Sequence, residues 1–163
     1  GCMADVVRWV TMLKPDGTVS RVGVDELGYG YRTSVLKACQ QRDRPVVLEV
    51  GLELRPGDAE ALARKVEQIA AQRRMQTPKG HCAGSVFKRT LQSPAGFLIE
   101  QAGLKGRRIG GAEVSEKHAN YLMNVGGATA AEVRALIELV QEKVLADLGE
   151  TLEPEIEFVG EWS

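Results

Sequence analysis

The sequence predicts an α+β fold in two parts. Three observations carry this. Runs rich in β-branched residues dominate the chain before position 55. Two long stretches with apolar residues at helical spacing follow. A turn signal joins the first two strand-like runs as a hairpin, so strands are not confined to parallel crossovers.

Val6 to Leu13 is the first strand, and Pro15-Asp16-Gly17 the turn, set by the Pro and Gly dihedrals. Val19 to Val22 returns. Val24 to Leu27 reads as one helical turn ended by Gly28. Gly28 to Ser34 is aromatic, glycine-containing and irregular, and the polar stretch Lys37 to Arg44 reads as loop. Val46 to Leu54 is the strongest strand. A composition shift at Arg55-Pro56-Gly57-Asp58 marks the expected domain boundary.

Asp58 caps a helix expected over 59–74, with Leu62, Val66, Ile69 and Ala70 as its apolar stripe. Thr77 to Ser85 contains Pro78, Gly80 and Gly84 and reads as loop, running into a short segment over 85–88. Ser93-Pro94 reads as an N-cap and first-turn proline, opening a helix to Ala102 that stops at Gly103. Gly106 to Gly111 is basic and glycine-rich; Ala112 to Val114 and Tyr121 to Asn124 are short strands. Thr129-Ala130-Ala131-Glu132 is a capping box for a helix bearing Val133, Leu136, Ile137, Val140, Val144 and Leu148. Gly149 stops it. Pro154 to Val159 reads as a closing strand.

Composition narrows the function. Hydrophobic residues are 44% and charged residues 26%, the profile of a soluble globular protein. Twenty-one basic residues face 22 acidic ones, for a net charge of -1, which argues against a nucleic-acid or membrane-surface coat. No apolar run is long enough to span a membrane, and Gly1 to Asp5 lack the basic, apolar and cleavage-site series of a secretory signal, so none is expected. Three dispersed cysteines, Cys2, Cys39 and Cys82, suit reduced thiols in a cytoplasm.

Four segments could carry chemistry. In Pro78 to Arg89, glycines would let a ligand approach the backbone, Lys79, Lys88 and Arg89 add positive charge, and Ser85 follows a glycine. The alternative is an ordinary surface loop. Tyr29-Gly30-Tyr31-Arg32 could offer a guanidinium fork to a carboxylate or phosphate, or simply stack an arginine on tyrosine. Lys105 to Gly111, leading to Glu113, Ser115, Lys117 and His118, could shape an anion pocket or be a solvated turn. Glu153, Glu155 and Glu157 would share one face of the last strand, with nothing in composition to single out Glu155. His81, His118 and Cys82 lack the paired spacing of zinc motifs, so no metal is expected.

Gly28 to Ser34, Ala83 to Lys88, Leu98 to Gly106, Ile109 to Asn120 and Leu152 to Glu155 together resemble the C-terminal half of the UDP-N-acetylenolpyruvoylglucosamine reductases, also called UDP-N-acetylmuramate dehydrogenases. Five segments in the family's order cover nearly the whole chain. The resemblance implies an NADPH-driven FAD enzyme that reduces the enolpyruvyl group of a UDP-sugar in peptidoglycan synthesis. It implies that Arg32 activates the carboxylate, Ser85 donates a proton and Glu155 is the catalytic glutamate. Tyr31, Gln76, Lys88, Arg89 and His118 would then contact substrate. Arg89 stands where many members carry asparagine.

The stretch between Lys37 and the Val46 strand lacks the lid-bearing insertion of longer members, so the chain resembles the shorter subtype. The glycine-rich segment that wraps the FAD diphosphate in the family has no counterpart here, and Gly1-Cys2 abuts Met3 directly. Residues 1–55 are therefore expected to be the end of an FAD-binding domain and 56–163 a substrate-binding domain. The chain is expected to need the rest of the flavin domain for activity, and the complete protein to be a monomer. The alternative is a non-catalytic sugar-nucleotide binding domain.

Overall fold

The computed structural model describes residues 1–39 and 43–161. Its contacts group into two units, Gly1–Leu62 and Ala63–Ser163.

In the first unit, strand β1 (Val7–Leu13) pairs antiparallel with β2 (Val19–Gly23) and with β3 (Val46–Leu52), in the order β2-β1-β3. The predicted hairpin turn is closed by Lys14 N–H to Thr18 O at 2.9 Å, with Gly17 at φ 83°. A register shift between Val7 and Trp9 changes the phase of β1. Val7, Val10 and Met12 therefore all face the buried side, where they meet Leu27. On the other face the Trp9 ring covers Gly51, where a Cβ would sit 2.1 Å from the indole. The Arg21 guanidinium lies 3.8 Å from that ring.

Val24–Leu27 forms the expected short helical turn, and Gly28 at φ 52° ends it. The loop expected over Lys37 to Arg44 is partly helical. Val35–Ala38 forms α1, because the Ser34 carbonyl accepts from both Lys37 and Ala38 and Leu36 packs on the core. Residues 40–42 of that expected loop lie outside the described residues. The strand predicted most strongly, β3, is an edge strand whose Val46, Leu48 and Leu52 are exposed.

Helix α2 spans Ala59–Gln76, and the Asp58 carboxylate accepts the Ala61 N–H at 2.6 Å. Its predicted stripe is not buried: Leu62, Val66 and Ile69 are exposed.

The second unit holds β4 (His81–Ser85), β5 (Arg108–Ile109), β6 (Ala112–Val114) and β7 (Tyr121–Asn124), antiparallel in the order β4-β7-β6-β5. Helices α3 (Ala95–Gln101) and α4 (Ala130–Leu148) pack with this sheet. The core joins Val86, Phe87, Leu98, Ile99, Val114, Leu122, Leu136, Ile137, Val140, Val144 and Leu152. The capping box forms as read: Thr129 Oγ1 accepts from Glu132 N, and Glu132 Oε2 from Thr129 N. Gly149 at φ 70° ends α4.

Three expectations are corrected here. His81–Ser85 is a strand, not loop, because β7 offers a ladder that local composition does not reveal: His81 pairs with Asn124 and Cys82 with Met123. Pro94, not Ser93, holds the N-cap position of α3 (φ -64°, ψ 135°); the Ser93 carbonyl is taken by the Thr90 N–H at 3.0 Å. Pro154 to Val159 is not a strand. It makes one bridge, Phe87 to Pro154, and Pro154 has no N–H with which to extend a ladder.

Candidate functional site

Ser85 ends β4 beyond a bulge. Cys82 pairs with Met123 and Ser85 with Tyr121, so β4 spends one more residue than β7 over this interval. Gly84, at φ 79°, absorbs the extra residue. Because side chains alternate across a strand, the insertion changes the face on which Ser85 emerges. Ser85 is exposed, and its hydroxyl makes no hydrogen bond among the described residues.

The chain plunges directly after it. Val86 and Phe87 are 0% and 2% exposed. Every backbone polar group of these two residues is paired. Val86 N–H donates to Asn120 O at 2.9 Å, and Val86 O accepts from Glu155 N–H at 2.7 Å. Phe87 N–H donates to Asn120 Oδ1, and Asn120 Nδ2 donates to Phe87 O, both at 2.9 Å. Lys88 N–H donates to Glu153 O at 2.9 Å, and the Lys88 ammonium pairs with the Glu153 carboxylate.

Ser85, Lys88 and Glu155 thus meet at one junction of three segments. Glu155 is half-buried there. Arg89 is exposed one residue further on. His118 stands on the loop between β6 and β7. Its Nδ1 accepts the Asn120 N–H at 3.2 Å. The ring meets Tyr121 edge-on at 5.0 Å and closes on α3 at Gly96, where a Cβ would lie 3.0 Å from Cε1. The buried Ser115 hydroxyl accepts from the Lys117 and His118 amides and stiffens this loop.

Gln76 is the last residue of α2 and is exposed. Lys117 Nζ donates to Arg74 O at 3.1 Å and Thr77 O at 2.9 Å, placing a cation on the negative end of that helix. A notch of about 560 Å³ opens there, lined by Ala71, Arg74, Met75, Thr77, Pro78 and Lys79.

In the first unit, Tyr31 and Arg32 form the tip of a tight turn. Gly30 N–H donates to Thr33 O at 3.0 Å, and Thr33 N–H to Gly30 O at 3.3 Å. Arg32 has φ 56°, the one non-glycine residue with positive φ among the described residues. Its guanidinium lies 5.9 Å from the Tyr31 ring, and both side chains are exposed.

The glycine-rich stretch Lys105 to Gly111 is filled from within. A Cβ on Gly106 would lie 2.2 Å from Glu116 Oε1, and one on Gly110 1.9 Å from Glu132 Oε1. A Cβ on Gly111 would lie 2.4 Å from the Gly126 carbonyl. Its N–H donates to Glu132 Oε2 at 3.3 Å. The Thr129 N–H first, and the Gly111 N–H second, hold the Glu132 carboxyl below its ordinary pKa. These glycines allow protein segments to close on each other. Among the described residues no group of three His, Cys, Asp or Glu is placed to hold a metal ion.

One residue of this site escapes sequence reasoning. Asn120 lies within a segment that carries the resemblance, yet its signal, a buried amide at the head of a strand, is visible only once Phe87 is opposite it. Lys117, expected with Ser115 and His118 in a possible anion pocket, instead has its ammonium on the Arg74 and Thr77 carbonyls at the end of α2.

A family model described as UDP-N-acetylenolpyruvoylglucosamine reductase, C-terminal domain, matches residues 75–159. The chain is 47% identical over 163 residues to the UDP-N-acetylenolpyruvoylglucosamine reductase of Heliobacterium modesticaldum, covering 99% of this chain and 51% of that protein. It is 44% identical over 160 residues to that of Rubrobacter xylanophilus, covering 97% and 52%. The crystal structure of UDP-N-acetylenolpyruvylglucosamine reductase from Thermus caldophilus superposes with a TM-score of 0.80 at 35% identity, over 95% of this chain and 53% of that one. The chain spans about half the length of the curated relatives it matches. A family model over more than half of the residues, and relatives of one name along nearly all of them, make this chain a member of the UDP-N-acetylenolpyruvoylglucosamine reductase family.

Proposed function

We propose that this chain supplies the substrate half of a reductase that turns the enolpyruvyl ether of UDP-N-acetylglucosamine into UDP-N-acetylmuramate, using FAD and NADPH, for cytoplasmic peptidoglycan synthesis. The observation that carries the reading is the junction at Val86, which holds an exposed Ser85 hydroxyl, unpartnered among the described residues, beside the Glu155 segment.

The glycine-rich stretch in the second unit does not fit a flavin diphosphate. The glycines of Lys105 to Gly111 are occupied by Glu116, Glu132 and Gly126, leaving no cradle for a diphosphate. Binding of FAD is therefore assigned to a part of the enzyme outside these residues, with residues 1–55 as the end of that domain and 56–163 as the substrate domain. The chain alone is then inactive, and the complete enzyme works as a monomer.

The chemistry left to this chain is charge stabilisation and protonation. Reduction of the enolpyruvyl double bond builds negative charge toward the carboxylate and leaves an α-carbon that must take a proton. Ser85 Oγ–H is the donor: a hydroxyl is a weak acid, but an enolate-like carbon is a strong enough base. The Arg32 guanidinium, presented at a turn tip, pairs with the carboxylate. Glu155, held by Val86, completes the catalytic set. Tyr31, Gln76, Lys88, Arg89 and His118 contact the UDP-sugar.

The test supplies a flavin-binding half and compares Ser85→Ala with the parent. The variant should lose enolpyruvyl reduction while NADPH still reduces its flavin. No turnover in either form, with UDP-sugar binding intact, would establish a binding module instead. A stoichiometric oxidised-flavin absorbance band in the purified chain alone would sink the assignment of FAD elsewhere.

A further inference from the structure

Among the described residues, Asn120 is the one buried side-chain amide that grips the segment carrying Ser85. It is 8% exposed and its two hydrogen bonds go to one residue, Phe87. Its own backbone carbonyl holds Val86. Beyond Ser85 the ladder between β4 and β7 runs out, and the Asn120 amide replaces it, matching a peptide group donor for acceptor. Val86 carries Glu155 through its carbonyl. One residue thus stands behind both groups, through its backbone carbonyl at Val86 and its side chain at Phe87.

We propose that Asn120 is a positioning residue: its amide clamps Phe87 and so fixes Ser85 and Glu155 relative to each other. This rests on the reductase reading above. An Asn120→Ala chain leaves the buried Phe87 N–H and C=O without partners, and the Val86 junction loosens.

The experiment measures steady-state kinetics in the complete flavin-loaded enzyme and amide hydrogen exchange on the same protein. Asn120→Ala should lower kcat for enolpyruvyl reduction by about a hundredfold, the scale of an ångström-sized misplacement, with KM little changed. Flavin reduction by NADPH should be untouched. Exchange at the Phe87 and Glu155 amides should quicken, while Val140 in the core stays protected. Asn120→Asp keeps an acceptor for the Phe87 N–H and should recover part of the rate. If Asn120→Ala does not fold, Asn120→Asp decides by the same readings, with a smaller kcat loss expected.

An unchanged kcat in the folded variant, with Ser85→Ala inactive, overturns the positioning role and leaves the reductase reading standing. If Ser85→Ala is itself fully active, the reductase reading fails. The exchange data then decide the clamp: slow exchange at Phe87 and Glu155 in Asn120→Ala overturns it.

Discussion

The Glu155 N–H donates to the Val86 carbonyl at 2.7 Å, so the C-terminal segment is tied to the residue that follows Ser85. One backbone hydrogen bond thus ties Glu155 to the neighbour of Ser85, with the side chains of Val86 and Phe87 buried beneath it. Ser85 itself bears no part of that load. Ser85→Ala should leave unfolding free energy within about 0.5 kcal/mol of the parent in urea melts. In the complete enzyme it should cost about a hundredfold to ten-thousandfold in the rate of substrate reduction, the range for a lost general acid. A variant that melts early would place Ser85 in the structure rather than the chemistry.

Gly84 has open space where a Cβ would be, but its φ is 79°. Gly84→Ala is therefore penalised by backbone conformation alone. A net cost of about 1 kcal/mol is expected, the left-handed penalty less the gain in unfolded-state stiffness. Relaxation of the bulge would also turn Ser85 away, so activity should fall further than stability. Equal losses in both would argue against the bulge as the aiming device.

Glu132 links the α4 cap to the β5–β6 turn through its bonds from the Thr129 and Gly111 amides, and these lower its folded pKa. The folded protein then binds fewer protons at this site than the unfolded chain. Its stabilisation is complete above the unfolded value of about 4.3 and is lost as pH falls through the lower folded pKa. Glu132→Gln should flatten the acid limb of a stability–pH curve measured by thermal melting between about pH 5 and pH 3. An unchanged slope would mean the carboxylate gains nothing from the cap. Asp5 and Asp16, held down by the Cys2 and Thr18 amides, leave a residual slope of the same sign.

Lys117 should matter to α2 more than to the core. Lys117→Met keeps the aliphatic stem and removes the cation from the Arg74 and Thr77 carbonyls. About 0.5 kcal/mol should be lost. Amide exchange should quicken over Met75 to Thr77 and hardly elsewhere. Uniform quickening across the second unit would refute a local capping role.

Much of the fold was legible because its signals are local. The hairpin at Pro15 to Gly17, the Asp58 cap, the Thr129–Glu132 box and the Gly149 stop each depend on residues three or four apart, and each is found as read. The stripe of α4 was periodic and is buried at Leu136, Ile137, Val140 and Val144, while Leu148 at its end is exposed. That of α2 was periodic but exposed, since periodicity describes one helix and burial needs a second surface. The candidate site was legible only as residue names. Arg32, Ser85 and Glu155 came from a family resemblance, and composition offered no reason to choose Glu155 from its neighbours.

By itself the sequence determined the α+β class, the Asp58 and Thr129 helix starts, the Gly149 stop, the hairpin and the family. Only tertiary structure decided that His81–Ser85 is a strand, that Pro154 to Val159 is not, and that a bulge aims Ser85. It alone revealed the Asn120 clamp. The reason is range. A strand exists when a partner completes its ladder, and a buried amide finds its place when a distant peptide group needs one. Asn120 and Phe87 are 33 positions apart, beyond the reach of any local pattern.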